Sequence, residues 1–187
     1  MSNQRIAALF KPASVVLVGA SDTEGSLGDV VRRNLAEGDF AGPVHFVNPQ
    51  HETVAGQRAY ASVLDLPGPA DLAVILTPAA TVPDVVEQCG LQGIRAAVVV
   101  SAGFREGGEA GAELERQMRS KARAHGLRFL GPNSLGLIRT DIGLNASCGP
   151  SQPDKGRLAL VSQSGALCAA LIDWARTRHV GFSSVVS

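Results

Sequence analysis

The stretch Val15–Leu35 constrains the fold more than any other part of the 187-residue chain. It opens with Val15-Val16-Leu17-Val18, an unbroken apolar run. Such a run is the mark of a strand buried on both faces of a parallel sheet. Leu27, Val30, Val31 and Leu35 then recur at helical spacing. Between strand and helix lie Gly19, Gly25 and Gly28, interleaved with Ser21, Asp22, Thr23 and Ser26. Glycines let a backbone approach an anion closely, and a helix N-terminus adds roughly half a positive charge. A strand, a glycine-rich turn and a helix start therefore predict a phosphate-binding loop. The spacing GASDTEGSLG is not the dinucleotide pattern GxGxxG. The loop thus specifies a phosphate-bearing ligand without naming it, and a merely tight turn is the structural alternative.

The rest of the chain repeats the alternation of strand and helix. Ile6–Phe10 predicts a short helix broken by Lys11-Pro12. The helix from Leu27 should close near Gly38. Val44–Val47 predicts a second strand, and Tyr60–Leu66 a short helix stopped by Pro67-Gly68-Pro69. Asp71–Thr77 and Ile94–Val100 predict the third and fourth strands, with a helix over Thr81–Cys89 between them. A helix over Gly108–His125 leads to a fifth strand, Leu127–Leu130. This alternation predicts an α/β, doubly wound parallel sheet over residues 1–139. Ligands of such sheets lie at the carboxyl ends of the strands. Those ends are Gly19–Ser21, Asn48-Pro49, Thr77-Pro78, Ser101–Phe104 and Gly131–Asn133, all small or polar except Phe104.

Residues 140–156 lack periodicity and contain Gly149, Pro150 and Pro153, which predicts a linker. The pattern restarts over 157–187 with a strand (Arg157–Val161), the turn SQSGAL, a helix (Leu167–Arg176) and a strand (Gly181–Val186). One βαβ unit cannot bury both faces of its strands alone, so this is expected to open a second α/β domain.

Formal net charge is zero, from 17 basic and 17 acidic residues, so nothing recommends nucleic acid or an anionic membrane as a partner. Cys89, Cys148 and Cys168 lack CxxC spacing and predict neither a disulfide framework nor a metal site. They read as small apolar residues. The N-terminus is too short and polar for a signal peptide, and no apolar run reaches the ~20 residues that span a bilayer. A cytoplasmic setting is the expectation. His45, His51, His125 and His179 sit in no catalytic motif and read as structural.

Six motifs occur in order: LFKPASVVLVGAS, VNP, VSAGFRE, GPNSLGL, GLNAS and LVSQSGAL. Together they resemble the CoA-binding N-terminal region of NDP-forming acyl-CoA synthetases, a group similar to the succinyl-CoA synthetase alpha subunit. The group also includes synthetase-like regions fused to GNAT protein lysine acetyltransferases. Ser134, where active synthetases often have Cys, leans toward that branch. The resemblance implies a Rossmann-like CoA-binding domain followed by the start of a flavodoxin-like one, with coenzyme A or acyl-CoA as cofactor. It places the CoA phosphates and ribose near Gly19, Ser21, Asp22, Thr23, Gly25 and Gly28, and near Asn48, Pro49 and Gln50. The CoA chain would run along Thr77, Pro78, Ser101, Ala102, Gly103 and Phe104, with its thiol end near Asn133. Backbone N–H groups of Ser162, Gln163, Ser164 and Gly165 would hold phosphate or a phosphohistidine.

In the intact synthetases, acyl-CoA and phosphate give acyl phosphate, then phosphohistidine, then NTP. The resemblance thus implies an ATP-grasp domain or subunit as partner, and a homo-oligomer is a further expectation. Two departures stand out. Gln50 occupies a position where a basic residue is common, so affinity would lean on Arg32, Arg33 or Lys11. The family's phosphorylated histidine lies further along than Ser187, so no catalytic residue is expected within these residues. A competing class is an NAD(P)-binding oxidoreductase or redox sensor. It wants an acid at the end of the second strand, where this sequence has Val47-Asn48-Pro49 and no acid before Glu52.

Overall fold

The computed structural model describes residues 2–187. The first part of the chain runs α1 (Ser2–Phe10), β1 (Val15–Val18), α2 (Leu27–Glu37), β2 (Val44–Val47), β3 (Thr53–Val54), β4 (Gln57–Tyr60) and β5 (Leu72–Ile75). It continues with α3 (Val82–Leu91), β6 (Ala96–Val99), α4 (Glu109–His125) and β7 (Arg128–Leu130). The strands form one seven-stranded sheet in the order β3-β4-β2-β1-β5-β6-β7. Every pairing is parallel except that of β3 with β4. The order in which successive strands are laid down reverses between β1 and β5. That pair defines the switch point where the crevice of a doubly wound sheet opens.

Burial on both faces explains the continuous apolar runs. Val16, Val18, Ala73, Ile75, Ala97 and Val99 pack on one side against Val82, Val85 and Val86 of α3 and Met118 and Ala122 of α4. Val15, Leu17, Leu72, Val74, Ala96 and Val98 face the other side, against Leu9 of α1 and Val31 and Leu35 of α2. Val15, Val16 and Leu17 are wholly buried, as the centre of the sheet requires. Helix ends follow local chemistry. The Ser26 side chain caps α2 by accepting from the Asp29 N–H at 3.2 Å. Gly126, left-handed at φ 63°, closes α4.

The second part comprises β8 (Gly136–Arg139), β9 (Leu144–Ser147), β10 (Lys155–Val161), α5 (Gly165–Arg176) and β11 (Phe182–Val186). Its four-stranded sheet has the order β10-β11-β8-β9, and only β10 and β11 are parallel. The β8–β9 hairpin serves two cores. Leu137, Leu144 and Ala146 join the core of the first sheet, while Ile138 packs with Cys168, Ile172, Ala175, Phe182 and Val185. Asn34 of α2 pins this hairpin by donating to the carbonyls of Ser147 at 2.8 Å and Gly149 at 2.9 Å.

Two stretches differ from the local structure expected of them. Residues 140–156, expected as a linker without periodicity, contain a strand, Leu144–Ser147, with all four residues buried. Asn145 and Ser147 hydrogen-bond each other, so polar residues are buried where periodicity signals no strand. The expected helix over Tyr60–Leu66 is replaced by the end of β4 and a single 3-10 turn, Val63–Asp65. Ala55 (φ 49°) and Gly56 (φ 75°) turn the chain back in two residues, which makes Thr53–Tyr60 a hairpin. No helix among the described residues is long and apolar enough to cross a membrane.

Candidate functional site

The five strand-end segments singled out in the sequence follow β1, β2, β5, β6 and β7, so the parallel sheet carries them along a single edge. Gly19, at φ 91°, ends β1 at the switch point. A Cβ there would lie 3.3 Å from the Leu76 Cβ and 3.4 Å from the Thr77 nitrogen, so the loops after β1 and β5 touch. The glycines of the first loop have different duties. Gly28 is a packing residue, since a Cβ on it would fall 2.4 Å from the Gly19 carbonyl oxygen and 2.8 Å from the Ser21 nitrogen. Its bareness lets the first turn of α2 rest on the end of β1. Gly25, at φ 75°, has nothing within 4 Å of its Cβ position, so it forms the open wall of the loop.

Side chains brace this loop more than they line it. The Thr23 N–H donates to Ser21 Oγ at 3.0 Å. Asp22 Oδ2 accepts from the Ala55 N–H at 3.2 Å, which fastens the tip of the β3–β4 hairpin to the loop. Asn48 Nδ2 donates to the Ala20 carbonyl at 2.9 Å, while its Oδ1 accepts from the Gln50 N–H at 2.8 Å. Asp29, buried on α2, accepts from Arg32 Nη2 at 2.6 Å and the Gly25 N–H at 3.4 Å, and forms an ion pair with Arg33 Nε at 3.1 Å. The Arg32 hydrogen bond, helped by the Gly25 N–H and the nearby Arg33 charge, holds the Asp29 carboxyl below the usual aspartate range against the opposing effect of burial. Both arginines expected to serve an anionic ligand are thus shared with a carboxylate.

The far side of the crevice is built by β5, β6 and β7. Ser101 Oγ donates to the Thr77 carbonyl at 2.6 Å, and the Asn133 N–H donates to the Ser101 carbonyl at 2.9 Å. Gly103 gives its N–H to Glu106 at 2.7 Å, and this bond is the main cause that lowers the Glu106 carboxyl pKa. Thr77 Oγ1 is buried with no hydrogen-bond partner in the protein. Such a hydroxyl is costly unless something completes it, and it lies where the loops after β1 and β5 meet. Phe104 departs from its expected place. Its side chain is fully buried in the core beneath α3 and α4, so only its backbone belongs to the edge.

Three comparisons with known proteins bear on this crevice. Residues 13–140 match the model of a CoA binding domain, and residues 155–187 match a succinyl-CoA ligase like flavodoxin domain. The chain belongs to the CoA binding domain family. It is 45% identical over 179 residues to acetate–CoA ligase [ADP-forming] I of Archaeoglobus fulgidus, a match covering 96% of this chain and 26% of that protein. It is 42% identical to the alpha subunit of acetate–CoA ligase [ADP-forming] I of Pyrococcus furiosus, covering 96% of this chain and 40% of that subunit. The fold superimposes with a TM-score of 0.92 on the dinucleotide forming acetyl-coenzyme A synthetase 1 of Ca. Korarchaeum cryptofilum in complex with phosphate and ADP. That match has 38% identity and covers 97% of this chain and 39% of the other. The chain therefore spans a quarter to two-fifths of these relatives. All three are CoA ligases or synthetases, and neither an acetyltransferase nor an oxidoreductase is among them.

The geometry fits CoA on its own terms. An open glycine wall at the start of α2 suits the diphosphate. The unpartnered Thr77 hydroxyl suits a chain that carries amides. Beyond Asn133 the crevice meets a second helix start. Ser164 caps α5 by accepting from the Leu167 N–H at 3.2 Å, and the Ser164 N–H donates to Ser162 Oγ at 3.0 Å. A Cβ on Gly165 would lie 3.1 Å from the Leu135 Cβ, and Ser134 Oγ donates to the Ser187 carbonyl at 2.6 Å. The turn Ser162–Gly165 thus abuts the segment that follows Asn133. Sequence spacing alone could not show this, since the β8–β9 hairpin creates the contact.

The cysteines take no part. Burial pushes the Cys89 thiol up to about 12 and also raises Cys148 and Cys168. His125 packs against α3, where a Cβ on Gly90 would come within 2.2 Å of its ring.

Proposed function

We propose that this chain is the CoA- or acyl-CoA-binding part of an ADP-forming acyl-CoA ligase. The observation that carries this is the bare-glycine crevice at the β1/β5 switch point, in a chain belonging to the CoA binding domain family. In the intact enzyme, acyl-CoA, phosphate and NDP would be converted to acid, CoA and NTP. Gly19, Ser21, Asp22, Thr23 and Gly25 form the diphosphate loop, with Gly28 supporting it from below. Asn48, Pro49 and Gln50 flank the ribose. Thr77, Pro78, Ser101, Ala102 and Gly103 line the pantetheine path, with the backbone of Phe104, and Asn133 stands at the thiol end.

Ser162, Gln163, Ser164 and Gly165 present a helix N-terminus beside that end. Phosphate held there would lie next to the acyl group it attacks. An ATP-grasp domain or subunit supplies the nucleotide step under this reading, in a cytoplasmic protein that forms homo-oligomers.

The test is calorimetric titration of the chain with CoA, acetyl-CoA and NAD in parallel. CoA and acetyl-CoA are expected to bind while NAD gives no heat. An NAD response would overturn the reading, as would silence toward both CoA ligands. Within the same experiment, Gly25→Val is expected to weaken CoA by about tenfold or more, because a branched side chain occupies the open wall. The fold should persist at a stability cost of about 1–2 kcal/mol, since no atom lies within 4 Å of that Cβ position but a side chain is held at a left-handed φ of 75°. Unchanged affinity in this variant would remove the loop from the site.

A further inference from the structure

Resting on the CoA reading above, we propose that Arg58 reads the phosphorylated ribose of CoA and makes the crevice select CoA over dephospho-CoA. The need for such a group appears in the charge inventory. The segments 19–28, 48–50, 77–78, 101–104 and 131–133 contain no lysine, arginine or histidine, and they carry Asp22 and Glu24. Backbone N–H groups and the α2 terminus can receive a diphosphate. A separate phosphate on the ribose lies beyond their reach and needs its own cation.

The arginines near the loop are already engaged, and Lys11 precedes β1, at the amino end of the sheet. Arg32 and Arg33 share Asp29 at 2.6 and 3.1 Å. Arg105, beyond the β6 end, faces Glu115 at 3.6 Å. Arg116, Arg119, Arg123 and Arg128 gather around the end of α4 and the start of β7, at the opposite edge of the sheet.

Position then selects Arg58. In a doubly wound dinucleotide fold the ribose lies at the end of the second strand, where an acid reads free hydroxyls and a nearby arginine accepts a ribose phosphate. Here β2 ends in Val47-Asn48, and no acid repels a phosphate there. The strand outside β2 is β4, with Tyr60 in register beside Val47. Arg58 is two residues before Tyr60 and so shares its face of the strand. Its guanidinium carbon lies 4.7 Å over the centre of the Tyr60 ring. The side chain thus leans along the strand toward the carboxyl edge. Arg58 is exposed and forms no ion pair among the described residues. An aromatic face orients a guanidinium without neutralising it. A planar fork held this way keeps its donors available for phosphate oxygens.

The experiment compares CoA with dephospho-CoA on the wild-type chain and on Arg58→Gln, by calorimetry at fixed ionic strength. The wild type is expected to favour CoA by about tenfold, the size of one charge-assisted hydrogen bond. Arg58→Gln should lose that factor on CoA and change by less than about twofold on dephospho-CoA, with Arg58→Lys intermediate. Because Arg58 is exposed, thermal melting of both variants should match the wild type. A wild type that discriminates together with an Arg58→Gln variant that discriminates equally would overturn the assignment to Arg58. A wild type that binds both ligands equally would overturn ribose-phosphate reading altogether. A wild type that binds neither would overturn the CoA reading, and this inference with it.

Discussion

Replacing Gly28 by valine is expected to cost at least about 3 kcal/mol of folding stability and to abolish CoA binding. The clash is with backbone on the strand side. A Cβ at residue 28 meets the Gly19 carbonyl oxygen at 2.4 Å and the Ser21 nitrogen at 2.8 Å, and neither can swing aside as a flexible side chain would. Relief requires α2 to lift from the end of β1. That motion opens the diphosphate loop and pulls Asn34 from the Ser147 and Gly149 carbonyls that it binds on the β8–β9 hairpin. One substitution therefore disturbs the site and the contact between the two sheets together. Urea unfolding followed by far-ultraviolet circular dichroism measures the first effect, and calorimetry with CoA the second. Gly25→Val is the contrast, with a large loss of affinity, an intact fold and only the smaller cost of about 1–2 kcal/mol that a left-handed φ of 75° imposes on a side chain. Equal stability of the two variants would show that Gly28 is not the packing glycine described here.

The division between these glycines was not legible in the sequence, where Gly19, Gly25 and Gly28 looked alike. The central strands were legible because burial on both faces forces continuous apolar runs, as in Leu72–Ile75 and Ala96–Val99. Edge and polar strands escape that rule. β4 reads Gln-Arg-Ala-Tyr because it lies near the sheet edge, and Arg58 faces solvent there. β9 reads Leu-Asn-Ala-Ser; its two buried polar side chains hydrogen-bond each other, and the Ser147 carbonyl is served by Asn34 from 113 residues away in sequence. The edge that carries the site was legible for a different reason. Parallel strands must all end on the same side, so small and polar strand ends converge without any knowledge of distances. What those ends do was less legible. Asn48 looked like a ligand contact, yet both ends of its amide already brace the backbone.

Phe104 makes the same distinction testable. Its place after Gly103 at a strand end suggested a ligand contact, while the structure buries it completely among Met118, Leu114 and the β6 face. Gly111 of α4 lies directly on its backbone, where a Cβ would come within 1.8 Å of the Phe104 carbonyl oxygen. Phe104→Ala should therefore cost about 3–5 kcal/mol, the price of deleting a buried aromatic ring and leaving a cavity. For a chain of this size that corresponds to a fall in melting temperature of roughly 6–20 °C. Phe104→Leu should retain most of the stability, because it keeps apolar volume near its original value. Below their melting transitions both variants should bind CoA within a fewfold of the wild type, since the ring contacts no open surface. The opposite pattern, normal melting with lost affinity, would return the side chain to the crevice. The pairing of measurements decides the matter, because a core residue and a ligand contact predict opposite signs for the difference between stability and affinity.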